Sequence, residues 1–314
     1  MRLRFLLPLL ALLPAFPAFS QEADTLVFVT QWKAQTQFAG YYVAEELGFY
    51  EEEGVPVSII HPFSTQPAVD RVRKYPQQAV MLTMDEALKM VDAGIPVVNI
   101  LQTSMNSALA VYAYTGESPL TLDHPKVAVW QVGYDSILRC WAEREGLDYE
   151  WIPASSTVSL LVTGTVDASA VMTYNEYFKI RQRGRPEPKD GLYRLSEHGY
   201  NIQQDGVYMT RAAYEAHKEQ AEAFARASRR GWEWAAGHRE EAVRITMKRV
   251  KQNRVNTNRL VQTLMLDEVL RLQQDPDSGV REFRLRPDMV EKASRMMFEA
   301  GILKREISME ELLP

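Results

Sequence analysis

One cysteine, Cys140, occurs in 314 residues. No internal disulfide can form and no cysteine-rich metal site can be assembled, so Cys140 reads as a small buried hydrophobe. Histidine is nearly as scarce: His61, His124, His198, His217 and His238 never fall at H-x-x-x-H spacing, which removes a helical zinc pair. No G-x-S-x-G turn is present; Ser136 stands in GYDSI, where it suits a helix cap. Positive charge is in deficit, with 36 Lys and Arg against 41 Asp and Glu. Nucleic acid and anionic lipid are therefore poor partners, since both need a basic surface. Past residue 20 no apolar run is long enough to span a bilayer.

What is present begins with Met1 to Ser20: Arg2 and Arg4, an apolar run from Phe5 to Phe19, and the small residues Ala18 and Ser20 before a cut. This pattern predicts a secretory signal peptide. No cysteine follows it, so a lipid anchor is not indicated. The exported chain carries a formal charge of about −7 once Arg2 and Arg4 are removed, and is expected in the periplasm as a monomer. Its 46% hydrophobic and 25% charged residues are ordinary for a globular protein.

The remainder alternates strand and helix patterns. TLVFVT predicts a first strand, AGYYVAEELGFY a helix over 39–50, VPVSII a second strand in a buried parallel position, QQAVMLT a third, MDEALKMVDAG a helix closed by Gly94, and VVNILQT a fourth strand. A second unit repeats the theme: SALAVYAYT, KVAVWQ, a helix in GYDSILRCWAEREG, WIPA, a helix over 158–163, DASAVMT and NEYFKIRQRG. GRPEPKDG reads as an exposed loop, GVYMT as a further strand, 212–272 as almost continuous helix, and 288–300 as a last helix behind Pro287. Such alternation predicts parallel βαβ units. The fold class is α/β: a two-lobed, periplasmic-binding-protein type II-like architecture of two open α/β domains with a helical C-terminal part. Residues 21–105 and 207–314 are assigned to one lobe and 106–206 to the other, with the β runs 105–114 and 205–210 as the crossings between them.

Ligands of open α/β sheets bind at the carboxyl ends of the strands. Those turns hold Gln31, Trp32, Gln35, Gln37, Phe38 and Tyr41; Thr83 and Met84; Gln131, Gly133, Tyr134 and Ser136; and Tyr174, Asn175 and Glu176. Aromatics, amides and carboxylates converge there while Lys and Arg are nearly absent, which suits a flat neutral or amine-bearing ring better than a phosphate or sulfonate. Each residue also has a purely structural role open to it. Trp32 can cap the first helix, Glu176 can favour a helix dipole from its first turn, and Tyr41 or Tyr42 can pack the core. The charge run EEAVRITMKRVKQNR reads as a solvated helix face, and MMFEAGIL as core.

The segment QWKAQTQFAGYYVAEELGFYEEEGVPVSI resembles the opening of the solute receptors for thiamine pyrimidine precursors. These belong to the sulfonate, nitrate and pyrimidine receptor group of ABC importers and are related to yeast-type hydroxymethylpyrimidine phosphate synthases. The resemblance runs from about Thr25 to Ala300. It implies a binding protein with a pyrimidine such as hydroxymethylpyrimidine in its cleft, Trp32 as the ring-stacking tryptophan and Glu176 as the acidic partner of an aminopyrimidine. The synthase branch carries adjacent cysteines and a pyridoxal-holding lysine and histidine after the third strand. Here the matching places fall at Leu82 and Glu86, neither of which forms a Schiff base, and Lys89 lies one helical turn on. No cofactor, metal or catalytic residue is therefore expected. The expected function is an extracytoplasmic receptor serving an ABC permease; the alternatives are a receptor presenting its ligand to a membrane sensor kinase and a synthase-like enzyme.

Overall fold

The computed structural model describes residues 25–62, 68–131, 134–184, 190–275 and 277–314. The expected signal segment and Gly133 lie outside them. The first half of the chain runs β1 (Leu26–Val29), α1 (Ala39–Glu46), α2 (Phe49–Glu52), β2 (Val57–Ile60), α3 (Ala68–Lys74), β3 (Ala79–Leu82), α4 (Met84–Asp92) and β4 (Val97–Gln102). There follow β5 (Leu109–Ala113), β6 (Lys126–Trp130), α5 (Ser136–Arg144), β7 (Glu150–Ala154), α6 (Thr157–Val162), β8 (Ala168–Met172), α7 (Glu176–Gln182) and β9 (Leu192–Arg194). The chain ends with β10 (Gly206–Thr210), α8 (Arg211–Ala216), α9 (Lys218–Gly237), α10 (Arg239–Gln252), α11 (Arg259–Leu272) and α12 (Pro287–Glu299).

The strands make two five-stranded sheets, ordered β2-β1-β3-β10-β4 and β7-β6-β8-β5-β9. In each sheet four strands run in one direction, and the strand in fourth place is antiparallel to both its neighbours. The expected parallel βαβ pairings are present, and each sheet adds one antiparallel strand. Apolar β-branched runs report burial on both faces, not direction. β2 is an edge strand and only half-buried, because its outer side has no neighbour.

The expected crossings also move. The 105–114 run supplies β5 inside the second sheet, and 205–210 supplies β10 inside the first. The chain passes between sheets just before each of these strands, and the two passing segments are tied together. The Asp205 carbonyl accepts from the backbone N–H of Thr103 and Ser104, Gln204 N–H donates to Ser104 Oγ at 2.7 Å, and Gln204 Oε1 accepts from Ala108 N–H at 2.7 Å.

The helix expected over 39–50 is broken at Gly48, whose φ of 76° only glycine adopts without strain. α1 then packs on α9 with the backbones almost touching: a Cβ on Gly231 would stand 2.0 Å from the Gly40 carbonyl oxygen, and one on Gly40 would stand 2.3 Å from the Trp232 ring. Tyr41 and Trp232 are fully buried beside this crossing. Cys140 is buried as expected, and burial raises its thiol to about 12, removing thiolate chemistry. Within the MMFEAGIL segment Met296 and Met297 are core, but Phe298 is exposed. Among the described residues no helix is long and apolar enough to cross a membrane.

Candidate functional site

Where the carboxyl ends of β1, β6 and β8 face one another, the chain forms a narrow, partly open chamber of about 30 Å³. The walls are Gln31, Trp32, Gln35, Gln37, Trp130, Tyr134, Met172, Tyr174, Asn175 and Glu176, with no lysine or arginine among them. Trp32, Gln35, Tyr134, Tyr174, Asn175 and Glu176 were expected from sequence, and the fold brings them together.

Tyr134 is the pivot of the aromatic walls. Trp32 meets it edge-on at 6.5 Å between centroids, and Trp130 does so at 6.4 Å. Its hydroxyl donates to the Gln31 carbonyl at 3.2 Å, joining the two halves of the wall. Its φ of 72° lies in the left-handed region, a conformation that costs a bulky residue roughly 1–3 kcal/mol and persists only where surroundings impose it. Trp32 is fixed from behind by His61. Trp32 O can only accept, so His61 Nδ1, 3.0 Å away, carries the proton and Nε2 accepts from the Tyr42 hydroxyl at 3.0 Å. Burial lowers the His61 pKa, with the bond to Trp32 opposing it, which keeps the ring neutral.

The polar floor is a chain of amides and acids. Gln35 Nε2 donates to Gln37 Oε1 at 2.6 Å; Gln37 Nε2 donates to the Tyr174 hydroxyl at 2.9 Å and to Asp205 Oδ2 at 2.8 Å; Gln31 Nε2 donates to Asp205 Oδ1 at 2.7 Å. Asp205, on the second passing segment, is thereby linked to residues under both sheets. Burial raises its pKa and the two glutamine donors offset this. Glu176 opens α7 and is buried; Oε2 accepts from Met172 N–H at 3.0 Å and Oε1 from Asn175 Nδ2 at 2.7 Å. Burial raises its pKa, opposed first by the Lys179 charge and then by the backbone donors. The indole N–H of Trp130 is a further donor to the same carboxylate. Gln31 Oε1 and Asn175 Oδ1 are buried acceptors without a protein donor.

Other expected residues lie elsewhere. Phe38 and Tyr41 are wholly buried, Phe38 against His61 and Tyr42, Tyr41 against Phe28, Phe224 and Trp232. They point from the first helical turns into the core instead of the chamber. Thr83 and Met84 are buried at the start of α4, Gln131 is exposed, and Gly133 is not among the described residues. Asp135 holds the N-cap position and Ser136 is the first residue of α5, where its Oγ accepts from Lys89 Nζ at 2.9 Å, bridging the two sheets' helices. Gln31 and Gln37 lie in the turn after the first strand, where the sequence pointed; Trp130, Met172 and Asp205 were missed. The signal for Trp130 and Met172 was their place as last strand residues, one step before the turns.

Thr83 and Glu86 form a reciprocal cap, Glu86 Oε2 accepting from Thr83 N–H and Oγ1, each at 3.3 Å. Burial, followed by the neighbouring Asp85 charge, raises Glu86 from 4.5 to about 7. The unfolded chain loses this proton near pH 4.5 while the folded one holds it to about 7, so the group erodes stability as pH rises across that window. Glu86→Gln retains the cap acceptor without the charge. It should flatten the slope and gain about 1–2 kcal/mol in denaturant unfolding at about pH 8; an unchanged slope assigns the pH response elsewhere.

No group of three or more metal-ligating side chains occurs among the described residues. A profile of the family described as NMT1/THI5 like matches residues 35–242. The formylaminopyrimidine-binding protein of Halalkalibacterium halodurans is 25% identical over 242 residues, covering 71% of this chain and 70% of that protein. Among solved structures, a protein of Bordetella bronchiseptica RB50 superposes with a TM-score of 0.70 at 15% identity, over 93% of this chain and 95% of that one. The periplasmic aliphatic sulphonate binding protein SsuA of Escherichia coli does so with a TM-score of 0.64 at 13% identity, over 93% and 92%. At these identities the superpositions establish the periplasmic-binding-protein fold.

Proposed function

Because this chain belongs to the NMT1/THI5-like family, we propose that it is an extracytoplasmic receptor that binds a thiamine-type aminopyrimidine and hands it to an ABC importer without transforming it. The observation carrying this reading is the chamber itself: aromatic walls from Trp32, Trp130 and Tyr134, with Glu176 and the unpartnered acceptors of Gln31 and Asn175 on the same lining and no cation among the lining residues. A flat ring fits the walls, and an exocyclic amine with a protonatable ring nitrogen fits the acceptors. The pyrimidine named for the Halalkalibacterium halodurans protein agrees in class. The two paired crossing segments act as a hinge in this reading, with Asp205, Gln37 and Tyr174 the contacts made on closure.

Calorimetric titration with hydroxymethylpyrimidine and its aminomethyl analogue tests the proposal, with scattering at saturation to detect compaction. Binding with the ligand recovered unchanged is expected. Trp32→Ala should weaken it by about 0.5–1.5 kcal/mol beyond the lost contact area. Product formation, or no binding by any aminopyrimidine, overturns the reading.

A further inference from the structure

The chamber opens outward into a larger groove that shares Trp32, Trp130 and Glu176 with it, so a molecule seated on the aromatic walls extends directly into that groove. The chemistry changes at the boundary. The chamber lining has no cation, whereas the groove is lined by Lys33 from the loop after β1, Lys179 on α7, Arg183 just beyond it, and Arg254 from the loop between α10 and α11. Glu176 is the one carboxylate among the groove's lining residues.

This concentration sits on a chain with a formal charge of −5, most of whose described arginines are paired. None of the four groove cations lies within ion-pair distance of a carboxylate among the described residues. Resting on the aminopyrimidine reading above, we infer that the groove is an anion subsite, and that the ligand is a ring bearing a phosphate monoester or comparable oxyanion, ring inside and anion outside. Lys179 supports this from its own surroundings. It is half-buried; burial depresses its pKa, Glu176 opposes that, and repulsion from Lys33 and Arg183 depresses it further. An anion placed among them relieves that repulsion and accepts charge-assisted hydrogen bonds. Ser156 and Thr157, at the start of α6, line the same groove.

The test compares hydroxymethylpyrimidine with its phosphate monoester by calorimetry at low and high salt. The ester should bind about tenfold tighter or more at low salt, as a charge-assisted contact implies, with the ratio falling as salt rises. Lys33 and Arg183 are exposed, so the double variant Lys33→Gln/Arg183→Gln should fold as wild type, checked by its unfolding curve, and should cut the ester-to-alcohol ratio severalfold. An ester that binds no tighter than the alcohol, or a ratio untouched in the variant, overturns the subsite while leaving the ring reading intact. If neither compound binds, the ring reading fails and the subsite falls with it.

Discussion

Gly231→Ala should destabilise the protein by about 3 kcal/mol or more, although alanine ordinarily stabilises a helix interior relative to glycine by about 1 kcal/mol. The sign reverses because the added methyl would sit 2.0 Å from a backbone oxygen of α1, at Gly40, and 3.0 Å from the Ala44 methyl. A backbone carbonyl cannot rotate away as a side chain does, so the two helices must separate. Separation uncovers Tyr41, Phe224 and Trp232, which are packed around the crossing. A control lies on the same helix: Gly237, at the end of α9, has nothing within 4 Å of its Cβ direction. Gly237→Ala should be neutral or slightly stabilising. Chemical denaturation of the two variants side by side decides the matter, and equal midpoints would mean that the helices tolerate the extra carbon.

The second large effect is on affinity. Glu176→Gln is expected to cost about 2 kcal/mol or more in binding a pyrimidine that carries the exocyclic amine, as for a buried charged hydrogen bond. The protein can largely absorb the change within itself. A glutamine oxygen can still accept from Met172 N–H, and Asn175, whose Oδ1 has no donor now, can flip to accept from the new amide. The ligand has no such recourse, since the amide offers it a donor where it needs an acceptor. A pyrimidine lacking the amine should therefore bind wild type weakly and lose little more in the variant. Calorimetry on the four combinations yields the coupling. Equal losses for both ligands would show that Glu176 supports the α7 turn and does not read the amine.

Positions after strands were legible because β-branched runs mark strand ends, and Trp32, Tyr174, Asn175 and Glu176 were found that way. Which face a residue takes was not legible. Phe38 and Tyr41 follow the same turn as Trp32, but α1 rolls them against α9 and the His61 side of the core. Asp205 was hidden for another reason. It lies 174 residues from Gln31, and only the second crossing brings them together. Arg254 closes a run whose charges read as a solvated face. That holds along α10, where Lys248 and Arg249 pair with Glu46 and Glu45, and ends where the chain turns toward the groove. Strand direction in the two mixed sheets was equally silent in composition.

The antiparallel strand in fourth place has a consequence for the order in which the molecule is completed. All five strands of the second sheet lie between Leu109 and Arg194, one unbroken stretch of chain. The first sheet cannot close until Gly206–Thr210 slides between β3 and β4, where Gly206 meets Gln102. Until then β4 has no place beside β3, and two apolar strand edges stand open. Pairings between distant segments carry a larger loop-closure cost and form late. The inner unit is therefore the natural nucleus, and by bringing residues 103 and 205 together it shortens the search that the outer sheet must make. A chain stalled before residue 206 would expose those edges to other strands, so aggregation by edge pairing is the characteristic failure of its incomplete forms.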